Sequence, residues 1–175
     1  YRIYKKTIAW LAVLFYSNPS KNMFIVWVTW TDGKSTTSNL IHKIINDNLG
    51  KTVLISTISI KIWDKEVFNN SKMTSLSPFA LQKTLAYAKQ QWCKYAVLEV
   101  SSHGIDQYRF QWVEFDLWVL TNITPEHLDY HGSFENYVDT KKKLFTWILR
   151  NLKPEKMAVL PKDDKIGRSW YEEIW

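Results

Sequence analysis

The sequence predicts a three-layer α/β domain built on a mostly parallel sheet. Short runs rich in β-branched residues alternate with longer helical stretches, which is the pattern of strands joined by helical crossovers. A strand near the start of the chain leads directly into Gly33-Lys34-Ser35 and a helix, as phosphate-binding loops do. The 175 residues correspond to one ordinary domain, and 46% hydrophobic residues are enough for its core.

The elements follow one another in a regular order along the chain. An apolar stretch at 7–16 predicts a first helix, amphipathic or buried. Runs of β-branched residues then predict five buried strands, at 23–29, 52–58, 95–100, 115–121 and 156–160. Helix-start residues and apolar periodicity predict four further helices, at 35–48, 77–91, 133–152 and 164–175. Residues 59–68 predict a small hairpin around Trp63 and Asp64, and Gly50 suits the position after the helix 35–48.

Composition excludes several classes of protein. The single cysteine, Cys93, excludes a disulfide scaffold and a cysteine-based zinc site, and it fits a reducing, cytoplasmic compartment. No apolar run reaches the roughly 18 residues that a membrane span needs, so we expect no membrane insertion. A net charge of +6 indicates an anionic partner. Because the lysines are scattered and no arginine-rich tract occurs, we expect a phosphorylated small molecule rather than nucleic acid.

The segment 29–36 has the mechanical arrangement of a phosphate loop. Backbone N–H groups at the start of a helix cradle phosphates, Lys34 would reach the β and γ oxygens, and the Ser35 hydroxyl would bind Mg²⁺. The generic spacing, however, requires glycine at position 28, where this chain has Val28. From these residues alone, two interpretations therefore stay open: a phosphate loop, and a Gly-Lys-Ser sequence that occurs by chance.

Six ordered motifs resemble those of the Mur ligases. With glycine at positions 27 and 30, the loop reads GVTGTDGKSTT, which is very similar to the ATP loop of that family. The chain then carries EVSSH at 99–103, a QxR at 107–109, TN followed by HLDYHG at 121–132, a YxxxK…LF pattern at 137–145, and a DDxxG-like segment at 160–167. The resemblance covers nearly the whole chain and is greatest to the MurE-type enzymes.

The resemblance implies a domain organisation. Residues 1–22 would be a lead-in helix and linker, and 23–175 would be an incomplete central ATP-binding domain that stops before its last strands. The UDP-sugar domain and the C-terminal ligase domain would be absent. Because the chain begins at Tyr1 rather than Met, we expect a fragment. Without the missing domains it would be inactive alone, and we also expect it to be monomeric and cytoplasmic.

The implied activity is that of an ATP-dependent amide ligase of peptidoglycan precursor synthesis. The whole protein would add the third amino acid to UDP-MurNAc-dipeptide through an acyl phosphate, and this part would supply the site for ATP and Mg²⁺. Two alternatives stay open: another ligase of the same superfamily, of the folylpolyglutamate or cyanophycin synthetase type, and a non-catalytic nucleotide-binding module.

The resemblance also assigns site residues. Those implied to bind ATP are Thr29, Thr31, Asp32, Gly33, Lys34, Ser35, Thr36 and Asn122. Those implied to bind Mg²⁺ are Ser35, Glu99, His127 and an N-carbamylated Lys141. Those implied to act in catalysis are Lys34, His127 and Lys141, and those implied to contact the muramoyl-peptide are Thr74, Ser75, Ser101 and Arg109. The remaining histidines, His42, His103 and His131, are expected in core or surface roles.

The counts of 5 glycines and 10 tryptophans are unusual for this length. Trp27 and Trp30 stand where the resembled loop has glycine, and an indole at position 30 should block the nucleotide. The sequence also predicts a turn, a helix end or a tight core position at four others: Trp63, Trp92, Trp112 and Trp118. We hypothesise that most of these are glycine in the organism, encoded by a codon such as UGA that is read here as tryptophan.

Overall fold

The structure is a computed structural model. It describes residues 1–29, 31, 33–71, 73–149, 153, 155 and 157–174, without the side chains of Lys34, 144–149 and Ile174. The helices are α1 (Arg2–Phe15), α2 (Lys34–Asn48), α3 (Pro78–Gln90), α4 (Ser102–Asp106), α5 (Leu128–His131), α6 (Phe134–Leu149) and α7 (Lys165–Ile174), with a 3-10 turn at Pro19–Asn22. The strands are β1 (Phe24–Thr29), β2 (Thr52–Ile55), β3 (Ser59–Ile62), β4 (Lys65–Phe68), β5 (Tyr95–Glu99), β6 (Leu117–Leu120) and β7 (Met157–Val159).

The described strands form one sheet in the order β4-β3-β2-β5-β1-β6-β7. β1 pairs in parallel with β5 and β6, β2 with β5, and β7 with β6. Among the described strands, the antiparallel pairs are β2 with β3 and β3 with β4, so the predicted hairpin extends the sheet beyond β2. The predicted mostly parallel α/β sheet is therefore confirmed, with β1 and β5 at its centre.

Alternation along the central strands divides the core between the two faces of the sheet. Ile25 and Trp27 of β1 belong to a large cluster that includes residues of α3, α6 and α7, namely Leu81, Leu85, Tyr137 and Trp170. Val26 and Val28 belong to a smaller cluster, against which Ile41 and Ile45 of α2 pack. Helices thus cover both faces, which gives the three predicted layers.

Local sequence explains where the helices begin. The Ser77 hydroxyl accepts a hydrogen bond from the Ala80 N–H, and Pro78 occupies the first turn of α3. The Ser133 hydroxyl likewise accepts from the Asn136 N–H at the start of α6. Both predicted helix starts are confirmed, whereas the short helices α4 and α5 were not predicted.

The predicted strand 52–58 was too long, because β2 ends at Ile55. The Ser56 N–H and hydroxyl both donate to the Ser59 carbonyl oxygen, at 3.0 and 2.8 Å, and close a tight turn into β3. Two other boundaries differ by at least two residues: the first helix begins at Arg2 rather than 7, and β6 begins at Leu117 rather than 115.

The first helix, α1, packs against α3 through Ala9, Ala12 and Val13. Large apolar residues on the rest of its surface, Ile3, Leu14 and Phe15 among them, are exposed. Among the described residues, no helix combines the length and the apolar character that crossing a membrane requires.

The tryptophans singled out in the sequence occupy three kinds of position. Trp63 and Trp92 have φ of +57° and +66°, in the left-handed region that favours glycine. Trp27 and Trp118 are fully buried, Trp27 against Phe115 and Trp118 stacked on Trp170. Trp112 lies in a turn without a positive φ, and Trp30 lies outside the described residues. The backbone at Trp63 and Trp92 thus agrees with the glycine hypothesis, while the turn at Trp112 does not require it.

Candidate active site

The carboxyl ends of the parallel strands bring most of the predicted site residues to one edge of the sheet. Thr29 and Glu99 are the last residues of β1 and β5, and Asn122 follows β6 by two residues. Thr57, two residues beyond β2, reaches the same edge. Ligand sites of open α/β sheets form at this edge, outside the strand ends.

The predicted phosphate loop runs from the end of β1 into α2. Gly33 is the N-cap of α2 with a φ of +80°, and Lys34 is the first helical residue. Ser35 is half-buried and Thr36 exposed in the first turn, where free backbone N–H groups and the helix dipole favour an anion. Asp32 and the Lys34 side chain lie outside the described residues, so their predicted contacts with ATP stay predictions.

Thr31 joins this loop to the segment after β6. Its backbone N–H donates to Asn122 Oδ1 at 3.2 Å. Its hydroxyl donates to the Thr124 carbonyl oxygen at 3.1 Å and accepts from the Thr124 N–H at 3.0 Å. The Tyr137 hydroxyl of α6 lies 3.1 Å from the same Thr31 oxygen. Asn122, predicted to bind the nucleotide, therefore holds the backbone of the loop itself.

Glu99 is a buried carboxylate, and only one of its two oxygens accepts hydrogen bonds from the described residues. Its Oε2 accepts from the Thr57 N–H at 2.8 Å and from the Thr57 hydroxyl at 2.7 Å. Its Oε1 is buried and has no hydrogen-bond partner among the described residues. A buried lone pair without a donor is costly, and a carboxylate oxygen is the ligand type that Mg²⁺ prefers. Glu99 therefore fits the predicted role of a metal ligand.

Three of the residues predicted to contact substrate lie together beside α4. Ser101 is the N-cap of α4, and its hydroxyl lies 3.0 Å from that of Ser75, which in turn accepts from the Ser101 N–H. Arg109 donates to the Ser75 carbonyl oxygen and, at 2.7 and 3.0 Å, to Gln107 Oε1. A side chain on Gly104 would collide with Ser75, because a Cβ there would lie 2.4 Å from its hydroxyl oxygen.

Arg109 carries a positive charge with only uncharged acceptors around it in the described chain. Besides Gln107 and Ser75, its guanidinium contacts Met73 Sδ. Partial burial lowers the pKa of Arg109 from its ordinary value, but a guanidinium stays charged in proteins. Such a group, half-buried beside two serine hydroxyls, is suited to bind an anion.

Thr74 connects the substrate residues to Glu99. Its hydroxyl oxygen lies 3.0 Å from the hydroxyl oxygen of Thr57, the residue that contacts Glu99. Thr74 thus stands between Ser75, its neighbour in the chain, and the buried carboxylate. Hydrogen bonds therefore join Thr74, through Thr57, to the predicted metal ligand, while the other three predicted substrate residues are joined to one another.

Three histidines gather on the other side of α4. The His103 ring centroid lies 4.8 Å from that of His127 and 5.8 Å from that of His131. Burial, and then the neighbouring histidine charges, lower the pKa values of His103 and His131. His127 itself adopts a positive φ of 54°, a strained conformation for this residue type.

His127 makes no metal-binding set with the other histidines in the described residues. Its Nε2 lies 3.6 Å from Glu126 Oε2. No group of three His, Cys, Asp or Glu side chains in the described part of the chain is placed to hold a metal ion. The predicted role of His127 as a metal ligand therefore stays a prediction, whereas Glu99 has the geometric support described above.

Lys141 is fully buried, contrary to the usual position of a lysine on a helix surface. Its Nζ lies 4.7 Å from the centre of the Tyr137 ring, one helical turn earlier. The neighbouring lysines behave differently: Lys142 pairs with Glu173 and Lys143 lies 3.7 Å from Asp106, and both are partly exposed. Burial therefore sets Lys141 apart from the two lysines that follow it, and its predicted roles in metal binding and catalysis stay predictions.

Two residues at this edge were not among the predicted site residues. Thr57 holds Glu99, and its place just after a parallel strand was the signal that could have revealed it. Tyr137 is the first residue of the YxxxK…LF pattern and has no predicted site role, although its hydroxyl contacts Thr31 of the phosphate loop. That contact joins residues 106 positions apart, and nothing local in the sequence predicts it.

Comparisons with known proteins agree with this arrangement. The family model of the Mur ligase middle domain matches residues 28–174 of this chain. The UDP-N-acetylmuramyl-tripeptide synthetase 2 of Oceanobacillus iheyensis is 40% identical over 95% of this chain and 33% of its own length. A solved UDP-N-acetylmuramoyl-L-alanyl-D-glutamate–2,6-diaminopimelate ligase superposes with a TM-score of 0.79 at 28% identity, over 96% of this chain and 33% of that one.

The folylpolyglutamate synthase of Mycobacterium tuberculosis, solved with ADP, has a TM-score of 0.69 over 96% of this chain and 44% of its own. At 15% identity that likeness shows a shared fold alone. The chain spans about a third of the length of the curated relatives it matches. The family model covers most of the chain, and the relatives that the chain resembles carry the names of ligases. The chain belongs to the Mur ligase family, as a middle domain of that family.

Proposed function

We propose that this chain supplies the ATP and Mg²⁺ site of an ATP-dependent ligase that joins a carboxylic acid to an amino acid. The whole protein would add the third amino acid to UDP-MurNAc-dipeptide, as the names of its relatives suggest. The observation that carries the proposal is a short series of contacts. Arg109 donates to the Ser75 carbonyl oxygen, Thr74 precedes Ser75 in the chain, and hydroxyl contacts join Thr74 to Thr57 and Thr57 to Glu99. These contacts put an anion-binding group and a buried carboxylate side by side.

The chemistry requires this proximity. A substrate carboxylate and the γ-phosphate of ATP repel each other, so a ligase must bring two anions together and neutralise them. Mg²⁺, when bound, would supply that neutralisation. The residues that would hold it are Glu99, through the Oε1 that accepts no hydrogen bond from the described residues, together with Ser35, His127 and a carbamylated Lys141.

The residues of this chain would orient the two substrates. The N–H groups at the start of α2 would donate to the phosphates, and the hydrogen bonds of Thr31 would hold the loop that presents them. Arg109 would pair with an anionic group of the acid substrate, and Ser75 and Ser101 would donate to it. The substrate carboxylate would then attack the γ-phosphorus, releasing ADP, and an amine would displace phosphate from the acyl phosphate to form the amide.

The burial of Lys141 suits carbamylation. A charged ammonium is costly in the interior, and the amine as a neutral nucleophile would form an N–C bond to the carbon of CO₂, losing one proton to solvent. The product carries a carboxylate-like group in place of a cation. Mass spectrometry of the intact protein at neutral pH, with and without bicarbonate, would detect the added CO₂.

Two measurements test the proposal. Isothermal titration of ADP with Mg²⁺ into the 175-residue chain and into its Trp30→Gly variant should show binding at least in the variant, and no binding by either would contradict the nucleotide site. For the whole protein, labelled diaminopimelate or lysine should enter UDP-MurNAc-dipeptide. Nucleotide binding without incorporation of any amino acid would instead favour a non-catalytic module, and incorporation into a folate would favour the folylpolyglutamate type.

A further inference from the structure

Thr57 lies where two adjacent parallel strands end. β2 pairs with β5, and Ile55 stands opposite Leu98 at the end of that ladder. The chain beyond Ile55 turns at Ser56, so the backbone N–H and the hydroxyl of Thr57 both point at the residue after Leu98, which is Glu99. Two donors from a single residue hold one oxygen of the carboxylate in place.

The number of available protons gives the contacts a direction. An ionised carboxylate only accepts hydrogen bonds, and Thr57 has a single hydroxyl proton. Thr57 must therefore donate that proton to Glu99, at 2.7 Å. The hydroxyl oxygen of Thr74 is a second acceptor for the same Thr57 hydroxyl, at 3.0 Å. Thr57 is thus the donor in both hydroxyl contacts, and the shorter of the two is the contact with Glu99.

The two oxygens of Glu99 consequently differ. Oε2 receives both donors from Thr57, whereas Oε1 is buried and receives none from the described residues. We propose that Thr57 is a positioning residue that holds Glu99 by Oε2 and so presents Oε1 to the divalent cation. This inference rests on the proposed function, because it concerns the metal ligand of that site.

A purely structural role for Thr57 would be to fasten the β2 turn to β5. The two roles differ in what they predict for metal affinity. A residue that orients a ligand typically changes metal affinity by about 10-fold or more when it is removed. A residue that only fastens a turn would change the free energy of unfolding and leave the metal affinity of the folded protein unaltered.

The experiment measures Mn²⁺ affinity in the presence of ADP, by electron paramagnetic resonance of free Mn²⁺. It uses whichever chain binds ADP, the unsubstituted 175-residue chain or its Trp30→Gly variant, as the background. We expect Thr57→Val, which has nearly the same shape but no hydroxyl, to weaken Mn²⁺ binding by about tenfold. Thr57→Ser restores the donor and should stay within about twofold of the unsubstituted chain. Circular dichroism and thermal melting establish that each variant is folded.

Glu99→Gln supplies the matched control. Once Glu99 has lost its charge, adding Thr57→Val should cause no further loss of Mn²⁺ affinity, since there is no carboxylate to position. If Thr57→Val does not fold, Thr57→Cys replaces it, because a thiol is a weak donor and should give a smaller loss in the same direction.

The outcomes separate this inference from the proposed function. Absence of Mn²⁺ binding by the background chain, which keeps Thr57 and Glu99, would overturn both the proposed function and the role of Thr57. Normal Mn²⁺ binding that Thr57→Val or Thr57→Cys leaves unchanged would overturn the role of Thr57 alone. An equal loss in Thr57→Val and Thr57→Ser would also overturn it, since the serine hydroxyl should suffice. A loss in Thr57→Val that Thr57→Ser restores, and that disappears with Glu99→Gln, would support it.

Discussion

The hydroxyl oxygens of Thr31 and Tyr137 lie 3.1 Å apart, although 106 positions separate the two residues in the chain. Thr31 already donates its proton to the Thr124 carbonyl oxygen, so Tyr137 is the donor of this pair. Both residues are buried. The contact ties α6, which carries Lys141, to the loop that precedes α2. A hydrogen bond thus joins the phosphate loop to the helix that carries the candidate carbamylation site.

We expect Tyr137→Phe to weaken ADP binding by about fivefold, because one hydrogen bond worth about 1 kcal/mol no longer holds the loop. Isothermal titration of ADP measures this change in affinity, in whichever chain binds ADP, the unsubstituted one or the Trp30→Gly variant. Tyr171→Phe is the matched control, since Tyr171 of α7 is exposed and should leave the affinity unaltered. Equal affinities of Tyr137→Phe and the unsubstituted chain would show that the loop keeps its conformation without this contact.

Arg109 provides a prediction about the acid substrate. In the whole protein, Arg109→Met should raise the KM for the acid substrate by about tenfold or more while leaving the KM for ATP unchanged, because only the anion loses its partner. Arg109→Lys should not restore the KM for the acid substrate, since an ammonium lacks the planar fork that also reaches Gln107 and Ser75. Steady-state kinetics with each substrate varied in turn distinguishes these effects, and a rise in the KM for ATP alone would contradict the assignment.

Much of the fold could be predicted from the sequence, because local signals set it. Ser77 and Ser133 specify helix starts through their own hydroxyl groups, and the alternation along β1 specifies which side chains face each layer. Glu99 could be placed at a strand end for the same reason. The partners of these residues could not be predicted. Thr57 reaches Glu99 only because a turn at Ser56 shortens β2, and Tyr137 reaches Thr31 only through the packing of α6 on the sheet.

Lys153 and Asp116 offer a test of stability away from the site. Lys153 Nζ donates to Asp116 Oδ2 and to the Met23 carbonyl oxygen, both at 2.6 Å, and both charged side chains are largely buried. Asp116 also accepts from the Ile25 N–H at the start of β1. We expect Lys153→Met to lower the free energy of unfolding by about 3 kcal/mol, because it leaves a buried charge without its cation.

Urea unfolding at pH 7.5 measures this change. Lys43→Met is the matched control, since Lys43 pairs with Asp47 on the exposed surface of α2 and such pairs contribute little. Equal stability of the two variants would mean that Asp116 is compensated without Lys153.

His42 predicts how stability depends on pH. Burial lowers the pKa of His42, whose Nε2 lies 3.3 Å from the Thr52 carbonyl oxygen. The unfolded chain therefore binds a proton more readily than the folded one, so the free energy of unfolding should fall as pH drops below the unfolded pKa of about 6.5. Urea unfolding between pH 5.5 and 7.5 measures the slope, which His42→Gln should reduce. An unchanged slope in that variant would assign the effect to His103 and His131, whose pKa values are lowered too.

Trp92 tests whether the tryptophans stand at glycine positions. Its φ is +66° and its side chain is 82% exposed, so the indole contributes little packing while the backbone adopts a conformation that costs a side-chain-bearing residue about 1 kcal/mol. Trp92→Gly should therefore raise the free energy of unfolding by about 1 kcal/mol, whereas Trp92→Ala, which keeps a Cβ, should not. Trp112→Gly is the second control, because Trp112 lies in a turn without a positive φ and should gain nothing. Urea unfolding of the three variants decides the matter, and a loss of stability in Trp92→Gly would contradict the glycine hypothesis at this position.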